Sequence, residues 1–289
     1  MNDIFKFIQL VFYIFASMRL KTVLICSIFF LSNLIFSQNS SGNNSPFISA
    51  SFDSFKGGES LKFRIHYGIF NASFATIDLQ EDLLNEKKVF KSIAIGRTTG
   101  IARIFFKVDD IYESYFDKTI VRPLKSKRNV YEGGYTKNVE IEYDYKNKIA
   151  IVNDIKHDTI KKVNIKENVQ DIISTFYFLR NHFDVSKLKI NDFIRITMFF
   201  DADNYNFKMK FLGYEDIKTK FGIVSCYKFT PYIESGRIFR DSESLSLWVS
   251  NDKNKIPIKI EADLRIGSIE ADLEEFRGLK FPFKIKINE

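Results

Sequence analysis

From Gly58 onward, hydrophobic and polar residues alternate with a period of two through most of the chain. In "ESLKFRIHYGIF" the residues Leu61, Phe63, Ile65, Tyr67 and Ile69 alternate with Lys62, Arg64, His66 and Gly68. Strict alternation gives one buried and one wet face, so this stretch predicts a β-strand with His66 on the solvated side. Val130 to Tyr131, Val139 to Tyr145 and Ile149 to Val152 read as short strands, with Lys146-Asn147 as a tight turn between the last two. Phe193 to Phe200, Asn206 to Tyr214 and Ile223 to Tyr232 form a second series, separated by turns at "DADN" and "KFG". Asp201 and Asp203 are not followed by the further oxygen ligands and closing Glu of a calcium loop, so "DADN" reads as an Asx-type turn.

The acid-rich stretch "LWVSNDKNKIPIKIEADLRIGSIEADLEEF" follows the same pattern. Leu245, Leu247 and Val249 point one way, and Ser246, Trp248 and Ser250 the other. "NDKNK" turns the chain, Ile256, Ile258 and Ile260 resume the alternation, and Gly267-Ser268 reverses it again. Glu261, Asp263, Glu270 and Asp272 then fall on a polar face. The segment predicts two hairpins rather than an acidic catalytic cluster.

One segment departs from this pattern. In "NVQDIISTFYFLRNHF", Ile172, Phe176, Leu179 and Phe183 are spaced by four, three and four residues, the period of an amphipathic helix. Asn168 is its expected N-cap, and Asp171 sits in the first turn, where the helix dipole favours negative charge. About fourteen helical residues span roughly 21 Å, comparable to the width of a β-sheet. A shorter helical turn is expected at Gly100 to Phe106. Asp171, Ser174, Tyr177 and Arg180 lie three residues apart, along one side of the main helix. They form either a polar seam tying the helix to the sheet or, with Trp248, the polar lip of a ligand cleft. These five are the candidate ligand-binding residues.

About a dozen strands, one strong helix and no parallel βαβ rhythm predict a mainly β protein. The expected architecture is a single large antiparallel curved sheet, a barrel or half-barrel, with one α-helix around residues 169–183 packed in its concave face. The high Phe content, 31 of 289 residues, fits either a bulky packed core or an interior lined for an apolar ligand.

The N-terminus sets the expected compartment. Arg19 and Lys21 precede an apolar run from Thr22 to Phe36, and Ser37 stands just before a polar stretch. This is the layout of a secretory signal peptide cleaved near Ser37, with Met18 as an alternative start. The run is shorter than a membrane span. Cys26 follows Ile25 within the apolar run and does not fit a lipoprotein cysteine. Residues 38–57, polar and small, read as a flexible leader before a single domain from residue 58 to 289.

Removing residues 1–37 takes three basic residues (Lys6, Arg19, Lys21) and one acidic residue (Asp3) from a net charge of +7. The remaining charge is about +5, interspersed along the chain, which argues against nucleic acid as a partner. Cys226 is then the lone cysteine, expected as a buried small hydrophobe. His66, His157 and His182 lack metal-ligand spacing, and no nucleophile elbow, P-loop or dinucleotide fingerprint occurs. Neither a metal nor a cofactor is implied.

Several stretches carry a resemblance. "GGESLKFRIHYGIFNASFATIDL", "VDDIYESYFD" with "RPLKSKRNVYEGG", "VQDIISTFYFLR" and "LWVSNDKNKIPIKIEADLRIGSIEADL", taken in order over residues 57–277, resemble the exported bacterial family of domain of unknown function 3108. The resemblance implies an exported, barrel-like protein of the Gram-negative envelope and no reaction, since that family has no catalytic residues to carry over. Ala72-Ser73 departs from the Ala-Gly pair usual there. The expected function is a non-catalytic binding or carrier module for a lipid-like or glycan ligand in the periplasm or envelope. A structural or assembly protein with an envelope protein partner is the alternative, peripheral membrane association is compatible with both, and a hydrolase comes last.

Overall fold

The computed structural model describes residues 53–233, 245–264 and 267–286. Its frame is an antiparallel sheet of fourteen strands. The first eight form a meander: β1 (Ser60–Tyr67), β2 (Phe70–Leu84), β3 (Lys87–Thr98), β4 (Asp109–Asp117), β5 (Pro123–Glu132), β6 (Tyr135–Asp144), β7 (Ile149–Asp154) and β8 (Thr159–Asn164). The last six form another: β9 (Phe193–Phe200), β10 (Asp203–Thr219), β11 (Gly222–Ile233), β12 (Leu245–Ser250), β13 (Pro257–Asp263) and β14 (Ser268–Arg277). The two meanders join through β1 and β14, with Ser60 opposite Arg277, so both ends of the domain lie mid-sheet and β8 and β9 are its edges.

The sheet curls without closing. Register shifts at Lys62/Phe63, Ile65/His66, Tyr115/Phe116, Phe211/Gly213 and Trp248/Val249 mark bulges, each of which sharpens the local twist. Curling brings the edges within side-chain contact: Phe199 of β9 packs with Val139, Ile141, Tyr143, Ala150 and Val152 of β6 and β7. The chain running from β8 to β9 fills the seam. The Ile165 amide bonds to the Lys148 carbonyl at 2.9 Å, and Gln170 pairs with β9 through Thr197 (2.9 Å) and Phe199 (2.8 Å).

Two α-helices occur among the described residues, α1 (Gly100–Phe105) and α2 (Ile172–His182). The second begins later than the periodicity suggests. Asp171 is the N-cap, closing a capping box with Ser174, while Asn168 takes a left-handed φ of 57° in the preceding turn. The buried side is also rotated from the expected stripe. Ile172 is exposed, whereas Ile173, Ser174, Thr175, Tyr177, Arg180 and Asn181 are buried. The apolar spacing misleads because the sheet beneath offers hydroxyls and a carboxylate, so polar helix residues can go inside. Among the described residues no helix is long and apolar enough to cross a membrane.

Three further expectations need correction. Ile69 lies on the β1–β2 turn and is 89% exposed instead of continuing the strand's buried face. His66 is buried rather than solvated. The end of the segment read as a flexible leader is docked: Ser54 and Phe55 are buried against α2. The signal peptide and the rest of the leader lie outside the described residues. Asp201-Ala202 form the two-residue β9–β10 turn, both at positive φ (49° and 60°), the twist that matches a hairpin.

Candidate functional site

The candidate residues on α2 converge under the concave face. A row of serines receives them. Ser92, Ser114 and Ser126 stand opposite one another on β3, β4 and β5. Small side chains let the helix approach, and each hydroxyl meets a polar partner inside. Ser114 Oγ donates to Asp171 Oδ2 at 2.6 Å, Ser92 Oγ to the Tyr177 hydroxyl at 3.3 Å, and Ser126 Oγ pairs with the Tyr143 hydroxyl at 3.2 Å.

Asp171 has both its oxygens engaged. Oδ1 accepts from the Ser174 amide at 2.6 Å, while Ser174 Oγ accepts from the Asp171 amide at 2.9 Å. Burial raises the Asp171 pKa, and the hydrogen bonds from Ser114 and Ser174 pull against it. Tyr177 is wholly buried among Phe55, Phe116 and Phe176, with ring centroids 4.8, 5.2 and 4.7 Å away. Burial raises the pKa of its hydroxyl, keeping it neutral.

Arg180 completes the line. Its guanidinium grips Glu59 in a fork, Nη1 to Oε1 at 2.5 Å and Nη2 to Oε2 at 2.8 Å. Nε donates to the Asn254 carbonyl at 2.9 Å. The two side chains are 3% and 0% exposed. The nine steps from Asp171 to Arg180 rise about 13.5 Å, close to the roughly 14 Å of three strand spacings from β4 to β1. Helix α2 thus crosses the strands and ties four of them together.

Around its start, Asp171, Ile173, Tyr112 and Phe199 leave a recess of only about 20 Å³, room for about one water. Trp248 is not part of this group. It is buried in the cluster of Leu61, Val224, Cys226, Ile256, Ile258 and Leu273, beneath the ammonium groups of Lys228 (4.7 Å) and Lys259 (5.5 Å). Cys226 is buried too, and burial pushes its thiol up to about 12, the environment of an inert thiol.

At the C-terminal end of α2, Lys255 donates from Nζ to the Phe183 carbonyl at 2.6 Å. Burial lowers its pKa from 10.5 to about 8. The unfolded chain keeps this proton up to about pH 10.5, while the folded chain releases it near pH 8. The folded form binds fewer protons across that window, so stability rises with pH there. Urea midpoints at pH 7 and 9.5 should show this rise, and Lys255→Met should flatten it.

The β1–β14 pairing creates a grouping that spacing along the chain does not reveal. His66 Nδ1 donates to the Gly68 carbonyl at 2.8 Å, and Nε2 lies 2.8 Å from Asp272 Oδ2. With Glu270, these potential metal ligands lie within 4.8 Å of one another. Both carboxylates already have cationic neighbours, Lys259 at 2.8 Å from Glu270 and Arg64 at 3.6 Å from Asp272. The trio therefore reads as an ion-pair cluster.

One rim of the sheet is unusually apolar. It is formed by the β1–β2 turn, by α1 between β3 and β4, and by the β5–β6 and β7–β8 turns. Ile69 is 89% exposed, Ile104 80% and Ile101 68%, with Phe70, Phe105 and Ile155 also exposed. Beside α1, three cations surround one carboxylate: Arg103 (2.9 Å), Lys107 (3.3 Å) and Arg97 (3.8 Å) all approach Asp109. The hydrogen bond from Arg103 holds the Asp109 pKa down at about 2. Asp110 next to it is pushed up to about 6, first by burial and then by the charge of Glu132.

With this geometry in place, the comparisons define a class. The family model described as "Protein of unknown function (DUF3108)" matches residues 62–274, so the chain belongs to that family. A β-barrel-like protein of domain of unknown function DUF1849 from Brucella abortus shares the fold, with a TM-score of 0.51 at 11% identity over 79% of this chain and 100% of that one. A protein described as exported, with a YmcC-like fold, from Bacteroides fragilis matches at a TM-score of 0.33, 10% identity, over 79% of this chain and 99% of that one. A protein described as a lipoprotein from Parabacteroides distasonis matches at 0.31, 11% identity, with the same coverage of 79% and 99%. No curated protein matches the chain.

Proposed function

We propose that this chain is a non-catalytic module of the Gram-negative cell envelope that docks by its apolar rim on an anionic lipid surface. The observation that carries this reading is the set of exposed isoleucines on one rim, Ile69 on the β1–β2 turn and Ile101 and Ile104 on α1, with the cations Arg97, Arg103 and Lys107 beside them. Apolar side chains that enter the acyl boundary while cations meet headgroup phosphates are the two components of interfacial binding. A ligand carried in the concavity is less well supported, because Tyr177 and the rings around it pack the space beside the serine row, and the recess at the start of α2 has room for about one water.

Sedimentation with phosphatidylglycerol-containing vesicles tests the proposal. The parent chain should bind them more than phosphatidylcholine vesicles, and added salt should weaken binding. Ile69→Asp with Ile104→Asp removes two side chains each worth about 1.5–3 kcal/mol when buried, so binding should fall at least about tenfold at unchanged melting temperature. Equal binding by parent and variant would overturn the reading. So would loss, in the variant, of a cross-linked envelope protein when the parent binds no vesicles; the rim would then serve a protein partner.

A further inference from the structure

The rim opposite α1 holds a recess of a different character. The β4–β5 turn, the β6–β7 turn and the connector from β8 to α2 enclose about 180 Å³, with Arg122, Tyr145, Lys148, Ile165, Lys166 and Glu167 among its walls. Each wall is held by the fold. The Tyr145 hydroxyl donates to the Pro123 carbonyl at 2.9 Å, fixing the ring beside the β4–β5 turn. Buried Val121 takes a left-handed φ of 51°, which seats its side chain in the core and carries the chain on to Arg122. The Arg122 guanidinium lies 4.0 Å above the centre of the Tyr145 ring.

The charges in this recess are unbalanced. Its one carboxylate, Glu167, pairs with Lys148 at 3.2 Å, and both are exposed. Among the described residues, neither the Arg122 nor the Lys166 side chain has a carboxylate partner; the Lys166 ammonium makes a long contact of 3.5 Å with Asn206 Oδ1, and its backbone amide donates to Asn204 Oδ1 at 3.4 Å. Arg122 Nε is shielded from solvent and has no hydrogen-bond partner. Such a nitrogen is costly to leave unpaired, by about 1–3 kcal/mol. Arg64 and Arg128 share this feature, but each pairs with a carboxylate, Asp272 and Asp201 respectively, which Arg122 does not.

We propose that this recess binds a phosphoryl group, with Arg122 as the fork, Lys166 and Lys148 as flanking charges and Tyr145 as the platform that orients the guanidinium. Three cations from separate segments suit a tetrahedral, multiply charged oxyanion better than a flat, singly charged carboxylate, and a guanidinium bonds two phosphate oxygens at once. The volume corresponds to about six waters at roughly 30 Å³ each, enough for a phosphate and the first atoms of an esterified group. Ile165 and the Tyr145 ring give those atoms an apolar wall. The same chemistry is offered by a soluble phosphate ester and by a lipid headgroup. The proposal does not depend on the apolar rim, which lies at the other end of the strands.

Isothermal titration calorimetry of the full chain with inorganic phosphate and with glycerol 3-phosphate tests it. Both should bind saturably and more weakly as salt rises. Arg122→Gln should weaken binding at least about tenfold and Lys166→Gln by less, with melting temperatures unchanged. Arg195→Gln, a distant surface change, should bind like the parent. Monomeric short-chain phosphatidylglycerol separates the sources. Tighter binding than glycerol 3-phosphate identifies a lipid headgroup, and weaker binding a soluble ester; either supports the site. Parent-like binding by Arg122→Gln, or no saturable binding of either soluble probe by the parent, would overturn it.

Discussion

Substituting Arg180 by Met is expected to lower the unfolding free energy by about 3–5 kcal/mol, the cost of leaving a buried carboxylate without its partner. Glu59 is wholly buried, and both its oxygens depend on the Arg180 fork. The same guanidinium also supports the Asn254 carbonyl and faces the rings of Phe55, Phe176 and Tyr177 at 5.0–5.5 Å. A single substitution therefore strands a charge and frees a backbone acceptor. The double variant Glu59→Leu, Arg180→Met removes the charge as well, and should recover most of the loss. Urea denaturation of the four proteins in this cycle measures the coupling. A single variant as stable as the parent would mean that the fork does not hold α2 in place.

The second large effect is expected at Tyr177. Tyr177→Ala should cost about 3–5 kcal/mol, since a wholly buried ring leaves a cavity bounded by Phe55, Phe116 and Phe176. Tyr177→Phe keeps the ring and loses only the bond from Ser92 Oγ, so its cost should be nearer about 1 kcal/mol. Comparing the two by thermal unfolding separates packing from hydrogen bonding. A larger loss for Phe than for Ala would show that the serine row, not the aromatic cluster, secures the helix.

Strands such as β1, β9, β10 and β11 could be read from the chain because burial on one side forces alternation, whereas β2, β3, β4 and β8 were not placed, and β8 is exposed along most of its length. The hairpins from Leu245 to Phe276 were legible for that reason. Helix α2 was legible as an element but not in its orientation. Apolar spacing placed Ile172 inward, whereas the buried face carries Ser174, Tyr177 and Arg180. What reverses the expectation is the facing wall. Ser92, Ser114 and Ser126 occupy inward positions in "FKSIA", "YESYF" and "LKSKR", and small polar residues at inward positions of three successive strands are the signal that a polar helix face will sit there. Asp171, Ser174, Tyr177 and Arg180 do come together, while Trp248 belongs to another cluster. His66 was misread because its neighbours, Glu270 and Asp272, arrive from the far end of the chain. The Arg122 recess escaped for a similar reason, since its walls come from three separate turns.

Pairing Ser60 with Arg277 has a consequence for how this molecule is made. The first strand to leave the ribosome is flanked on one side by the last, so no folding order that follows synthesis can complete the middle of the wall early. A nascent chain remains pliable until its final segment is available, and assembly of so many distant pairings is intrinsically slow. Under the envelope location proposed above, that delay keeps the chain open while it is translocated.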